Sequence, residues 1–198
     1  MEKIATLVLR QTSYLKRGDV FACDSGALSV IEHHDDLKAV YGDFDSVTSK
    51  QASLIQAYAQ SSVVYPIMKD KTDGELAIEA ILKQGYTRLY VYGAFGDRID
   101  HQHVLLVLAL RYPELIYVSE TQELQSYGKG EYTLQKDRYT SFSVFSYDKA
   151  MIELKDCVYP LEKISIDGSN TLTISNVWLS DEAKLKVYSG QVWVSKNV

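Results

Sequence analysis

An α/β fold, with an N-terminal, largely parallel Rossmann-like sheet domain followed by a C-terminal antiparallel β-sandwich domain, is what three observations in the sequence predict. Over residues 1 to about 119, short β-rich runs alternate with helical periodicity, the pattern of a layered βαβ fold. After about residue 120 the helical period fades, and short alternating segments punctuated by turn residues take over. No repeat, low-complexity tract or proline-rich linker separates the two textures, so the join is short. The expected domains are 1–122, the α/β sheet domain, and 123–198, the sandwich.

The elements follow in order. Ile4–Leu9, Val20–Cys23, Ala39–Tyr41, Val63–Tyr65, Leu89–Tyr92 and Ile116–Val118 read as strands, being short, apolar and rich in β-branched and aromatic residues. Thr48 opens a helix through a Thr-x-x-Gln capping box to Gln51, with Ala52, Leu54, Ile55, Tyr58 and Ala59 as its apolar face. Thr72 opens the next through Thr72-x-x-Glu75, with Leu76, Ala77, Ala80 and Ile81 inward and Gly85 as its stop. Asp100 is placed to cap a third, which runs through Val104, Leu105, Val107 and Leu108 and halts before Pro113. Beyond the join, Tyr132–Gln135, Ser141–Phe145, Met151–Leu154, Thr171–Ile174 and Leu185–Tyr188 alternate as antiparallel strands do, between turns at Gly128, Gly130, Asp167-Gly168 and Ser189-Gly190.

Composition narrows the function. With 21 basic against 26 acidic residues the net charge is −5, which disfavours a sequence-independent nucleic-acid binder. The apolar run Ile4–Leu9 is too short for a signal peptide, and no stretch approaches the ~18 apolar residues of a membrane span. Cys23 and Cys157 stand far apart with no C-x-x-C spacing, so neither a disulfide framework nor a zinc knuckle is expected, and a reducing cytoplasm fits.

Chemistry concentrates after the strands of the first domain. In a parallel sheet, ligands bind beyond the carboxyl ends of the strands. Asp24 follows Val20–Cys23, Asp43 and Asp45 follow Ala39–Tyr41, Asp70 and Asp73 follow Val63–Tyr65, and Asp97 and Asp100 follow Leu89–Tyr92. On an extended backbone, Asp43 and Asp45 would share one face while Phe44 points to the other. Two such charges about 5 Å apart, at an effective dielectric of about 20, repel by roughly 3 kcal/mol. Each acid has a local alternative: Asp43-Phe-Asp45 is also a polar turn, Asp73 suits a helix's first turn, and Asp100 suits a cap. Together on one rim they call for a cation or basic partners, and Lys71, Arg98 and His101 lie in the same turns, with Gly26, Gly93 and Gly96 permitting close backbone approach. Carboxylates, cations and glycines on one rim suit a magnesium-bound nucleotide and phosphoryl chemistry. His33-His34-Asp35-Asp36 reads as a solvated helix end, and Gly93-Ala-Phe-Gly96 lacks the Gly-Lys-Ser/Thr ending of a P-loop.

Asp24-Ser25-Gly26-Ala27, Gly42-Asp-Phe-Asp-Ser46, Asp70-Lys-Thr-Asp73 with Glu75 and Ala77, Gly93-Ala-Phe-Gly-Asp-Arg-Ile-Asp-His101 and the late Ser175-Asn176 stand in the order seen in thiamine pyrophosphokinases. The chain resembles the bacterial form of that family over nearly its whole length. The resemblance implies transfer of a pyrophosphoryl group from ATP to thiamine with Mg²⁺ as cofactor, giving thiamine diphosphate and AMP in a cytoplasmic homodimer whose sites lie between subunits. It implies Asp43, Asp45 and Asp73 as catalytic and metal-binding, with Asp100 adjoining the metal. It implies Arg98, Lys71 and His101, with Asp100, at the nucleotide, and Asp24, Ser175 and Asn176 at thiamine. Trp178 and Trp193 would be aromatic partners for the ligand's rings or core residues of the sandwich. The chain departs from the family pattern at Ser25 and Asp97, each in place of a glycine, at Leu105 in place of an asparagine, and at Arg10-Gln11 in place of a Gly-Gly turn. Alternatives are a pyrophosphokinase acting on another hydroxymethyl heterocycle, such as a pterin, and a catalytically silent sensor of thiamine or nucleotide.

Overall fold

The computed structural model describes residues 2–96, 98–169 and 171–198. Its contacts divide the chain into two compact units, residues 1–105 with 114–120, and residues 106–113 with 121–198.

In the first unit, β1 (Ile4–Val8), β2 (Asp19–Cys23), β3 (Leu37–Gly42), β4 (Ser62–Val64), β5 (Arg88–Tyr92) and β6 (Leu115–Val118) form a sheet in the order β4-β3-β2-β1-β5-β6. Every pairing in that series is parallel. The six expected strands are present, each within two residues of its expected bounds. The order runs outward from β1 to β4 on one side and from β5 to β6 on the other, so the direction of winding reverses between β1 and β5. In a doubly wound sheet that reversal opens a crevice at the carboxyl ends of the two strands.

The helices are α1 (Gly26–Glu32), α2 (Ser49–Tyr58), α3 (Asp73–Leu82) and α4 (Ile99–Arg111). Thr48 caps α2 with both legs of the capping box, its hydroxyl accepting from the Gln51 N–H while the Gln51 side chain accepts from the Thr48 N–H. Thr72 caps α3 by accepting from the Glu75 N–H at 3.2 Å. Past its end, Gly85 takes φ +83° and donates to Leu82 O, as a helix stop requires. Two expectations fail. Of the apolar face of α2 only Ile55 is buried, and Leu54 is half exposed, so that helix uses a narrower stripe than its pattern suggests. Asp100 does not cap α4: the helix already includes Ile99, and Asp100 lies in its first turn.

The second unit carries β7 (Gln122–Tyr127), β8 (Gly130–Gln135), β9 (Ser141–Phe145), β10 (Ala150–Lys155), β11 (Leu161–Ile166), β12 (Glu182–Ser189) and β13 (Val192–Asn197). They form two antiparallel runs, β7-β13-β9 and the four-stranded sheet β11-β10-β12-β8. Phe142 and Val144 from β9, Val192 and Val194 from β13, and Ile152, Leu154, Leu185 and Val187 from the other sheet share one core, the face-to-face packing of a sandwich. Thr171–Ile174 is a turn rather than a strand. Its alternation is inverted: Leu172 and Ile174 are exposed, while Thr173 is buried with its hydroxyl donating to Val144 O.

Candidate active site

The loops after β2, β3 and β4 converge. Asp24, Asp43 and Asp73 each bring one carboxylate oxygen within 4.8 Å of the others. Local sequence makes this possible. Asp24 follows β2 at φ +40°, and its Oδ1 accepts from the Phe44 N–H at 3.0 Å. Gly42 stands opposite at φ +145°, and a Cβ there would overlap the Asp24 carboxylate, so a glycine is required for the acid to enter. Phe44 is buried, but at φ +62° rather than on an extended backbone, and this left-handed residue turns the chain so that Asp43 and Asp45 part company. Asp43 goes inward. Asp45 is exposed, its N–H donating to Asp43 Oδ1 at 3.2 Å.

Lys69 ties the cluster together, reaching Asp43 Oδ2 at 3.0 Å and Asp73 Oδ2 at 2.9 Å. The three side chains are 13%, 8% and 20% exposed respectively, so the pairing is shielded from solvent. The hydrogen bond from Lys69 holds the Asp43 carboxyl below the usual carboxylate range. For Lys69 itself burial opposes the charge, but the bonds to Asp73 and Asp43 outweigh it and the pKa rises. Asp24 behaves oppositely. Burial, opposed by the Phe44 N–H and reinforced by the charge of Asp73 and then Asp43, lifts its pKa to about 6. Asp73 Oδ1 is buried without a hydrogen-bond partner. An orphaned carboxylate oxygen beside two further carboxylates is a donor set of oxygens alone, which fits a hard divalent cation.

The remaining expected residues lie elsewhere on the loops. Asp100 is exposed and bound to Arg98, the guanidinium reaching its two oxygens at 2.5 and 3.3 Å. His101 is exposed beside it. Lys71 turns to α3, where it meets Glu79 at 2.5 Å and Glu75 at 3.8 Å. Asp97 lies outside the described residues. In the second unit, Asn176 is buried and its amide is fully used: Oδ1 accepts from the N–H groups of Tyr159 and Val177, and Nδ2 donates to Tyr159 O. Its backbone bridges to Phe142 in both directions. Ser175, exposed at φ +59° with its N–H donating to Ser143 Oγ, is thus held out to solvent on a post made by Asn176. Trp178 donates to Leu134 O and Trp193 to Leu106 O, and both are buried, so each serves the core. Sequence reasoning missed Lys69. Its only signal was the spacing Lys69-x-x-x-Asp73, which turned out to bridge across the helix entry while Lys71 faced along it.

A parallel sheet with a carboxylate cluster at the carboxyl ends of its strands is the layout of an enzyme of phosphoryl transfer. A family model described as the thiamin pyrophosphokinase catalytic domain matches residues 13–117. A thiamine pyrophosphokinase of Bacillus subtilis (strain 168) is 31% identical over 169 residues, covering 81% of this chain and 74% of the relative. Among solved structures, a thiamin pyrophosphokinase family protein from Enterococcus faecalis superposes with a TM-score of 0.90 at 20% identity, covering 100% of this chain and 99% of that one. A thiamin pyrophosphokinase from Geobacillus thermodenitrificans does so at 0.87 and 24%, covering 98% and 97%. The chain belongs to the thiamin pyrophosphokinase family and has that family's activity.

Proposed function

We propose that this chain moves the pyrophosphoryl group of ATP to the hydroxyethyl oxygen of thiamine in a Mg²⁺-dependent reaction, giving thiamine diphosphate and AMP. The observation that carries the reading is the cluster of Asp24, Asp43 and Asp73 with its orphaned Asp73 oxygen, in a chain of this family. Asp43 and Asp73 would hold the ion, with Asp24 beneath them and Asp45 and Asp100 on the solvent side. A bound Mg²⁺ supplies positive charge to the pyrophosphoryl oxygens as they are transferred. Lys69 keeps Asp43 ionised and holds both Asp43 and Asp73 in place. One carboxylate of the cluster accepts the hydroxyl proton of thiamine. Arg98, Lys71 and His101 lie on the loops that would meet the nucleotide, and the cationic thiazolium is drawn to an acidic rim.

The reading includes a cytoplasmic homodimer in which Ser175, on its Asn176 post, meets thiamine across the interface. Around that post Val158, Tyr159, Leu172, Ile174, Val177 and Leu179 are all exposed, and Val158 is joined to Val177 by a backbone hydrogen bond of 2.9 Å. Apolar side chains gathered on one exposed face favour association with a second copy. No described helix is long and apolar enough to cross a membrane.

The test incubates purified protein with ATP, Mg²⁺ and thiamine and identifies both products. Thiamine diphosphate with AMP is expected, and ADP with thiamine monophosphate would overturn pyrophosphoryl transfer. Light scattering on the same preparation is expected to give twice the 22.4 kDa chain mass.

A further inference from the structure

The crevice between β1 and β5 carries a cation that the roles assigned above leave out. Leu9 extends the pairing of the two strands, its N–H donating to Tyr92 O at 2.9 Å, and Arg10 is the next residue. Glycines from the first turns of α1 and α3 and from the turn after β5 close on this corner. A Cβ on Gly93, which stands at φ +77°, would lie 2.8 Å from Arg10 Cγ and 3.1 Å from Arg10 N. A Cβ on Gly26, two residues after Asp24, would lie 3.0 Å from Arg10 N, and one on Gly74, next to Asp73, would lie 3.2 Å from Leu9 Cδ2. A Cβ on Gly96 would overlap the Arg10 guanidinium itself.

The guanidinium therefore lies on the bare Cα of Gly96, in a turn whose carbonyl is held by the Gln102 side chain. Arg10 is exposed, and among the described residues it is in no ion pair, whereas Arg98 is bound to Asp100. A pre-positioned guanidinium at the winding reversal of a doubly wound sheet, beside loops that carry two carboxylates of the cluster, has the chemistry for a polyphosphate: a planar fork of donors that reads phosphate oxygens two at a time.

We propose that Arg10 binds the phosphate chain of the nucleoside triphosphate, and that Gly93 and Gly96 are glycines so that its side chain can lie across their turn. This rests on ATP being the donor substrate. Arg10 fixes the phosphate end from the β1 side, and the acid cluster takes it from the β2 and β3 side.

The test is calorimetric binding of a non-hydrolysable ATP analogue in the presence of Mg²⁺, with adenosine as a phosphate-free control, to the intact chain and to Arg10→Ala, Arg10→Lys and Gly96→Ala. A charge-assisted contact of this kind predicts a loss of about tenfold or more in analogue affinity for Arg10→Ala. Arg10→Lys recovers part of it, and adenosine affinity stays unchanged. Gly96→Ala, whose new methyl displaces the guanidinium, reproduces the loss, and the double variant is no worse than Arg10→Ala alone. Equal analogue affinity in Arg10→Ala and the parent would overturn the proposal, as would a parallel loss for adenosine or fully additive effects in the double variant. If Arg10→Ala does not fold, Arg10→Lys and Gly96→Ala still decide it. A parent chain that shows the Arg10 dependence but forms no thiamine diphosphate would sink the functional reading and leave this one standing.

Discussion

Two ion pairs on the catalytic unit look alike in sequence and differ in kind. Lys69 with Asp73 and Arg98 with Asp100 each join a basic residue to an acid in the first turn of a helix, within a loop after a parallel strand. In the first pair both side chains are mostly shielded and a second carboxylate, Asp43, shares the ammonium. In the second the side chains are 69% and 61% exposed, and water competes for both partners. Shielding strengthens the attraction within a charge pair and, whatever the pair's net contribution after desolvation, raises the penalty for removing one partner; exposure weakens both. Gly42, Phe44 and Asp24 lock the loop after β3 to the end of β2, and that loop is the one that brings Asp43 to the first pair; the second pair has no such neighbour among the described residues.

The variant that presses hardest on this contrast is Asp73→Asn. Asn suits a helix's first turn, so the fold should persist with a melting temperature near that of the parent. Asn cannot bring a second negative charge to Asp43, and kcat/KM for thiamine diphosphate formation should fall by about a thousandfold or more. Activity within about tenfold of the parent would place the reaction elsewhere on the rim.

Next in size is Lys69→Met, which leaves Asp43, Asp73 and Asp24 facing one another without a counter-charge. Removing one partner of a shielded pair, with the remaining exposure discounted, should lower stability by about 1–3 kcal/mol at neutral pH. The sign with pH follows from Asp43. Its pKa is depressed in the folded chain, so the stabilisation is present above its unfolded value of 3.8 and is lost as pH falls through the folded value. The deficit of Lys69→Met should therefore be full at pH 7 and shrink in acid, when the carboxylates protonate. Thermal melts across that range would show it, and a deficit independent of pH would mean that packing of the lysine stem, rather than charge, is what was lost.

Much of this arrangement was legible in the chain. Thr48-x-x-Gln51 and Thr72-x-x-Glu75 marked two helix starts because capping is local chemistry, decided within four residues. Five of the parallel strands were legible because buried strands are apolar runs, and the exposed edge strand β4 was legible only through its β-branched Val63-Val64. Leu161–Ile166 escaped because its Glu162 and Lys163 break the run, and its register is set by β10 rather than by its own pattern. Asp43 and Asp73 were visible as acids on one rim. The parting of Asp43 from Asp45 was not, because it depends on a left-handed Phe44, a conformation that a large side chain rarely adopts and that sequence does not announce. The choice between Lys69 and Lys71 was hidden for a similar reason, since both stand one residue from Asp70 and only the path of the loop into α3 decides which one turns toward the cluster.

Asp24→Asn should produce a smaller effect of opposite sign. An acid whose pKa is raised by burial to about 6, against 3.8 when exposed, favours the folded state in its protonated form, and that stabilisation is lost as pH rises through 6. Asn removes the charge and keeps an oxygen for the Phe44 N–H. In metal-free buffer at pH 8 the variant should be more stable than the parent, by on the order of 1 kcal/mol once solvent screening is allowed for. Near pH 4 the two should melt together. A variant less stable at pH 8 would show that the ionised Asp24 is held by a partner stronger than the Phe44 N–H.

The smallest effect belongs to Asp100→Asn, and it is the one that tests the exposed side of the contrast. The Arg98 hydrogen bond holds the Asp100 carboxyl below the usual range, yet both groups are open to solvent, where ordering two side chains offsets most of what their attraction contributes. Melting temperatures of Asp100→Asn and the parent should coincide, and raising the salt concentration should shift both alike, because a pair that contributes next to nothing leaves no difference to be screened. A loss of several degrees that vanishes in high salt would show that the pair is shielded like Lys69 with Asp73. The contrast between the two pairs would then lie in their partners and not in their burial.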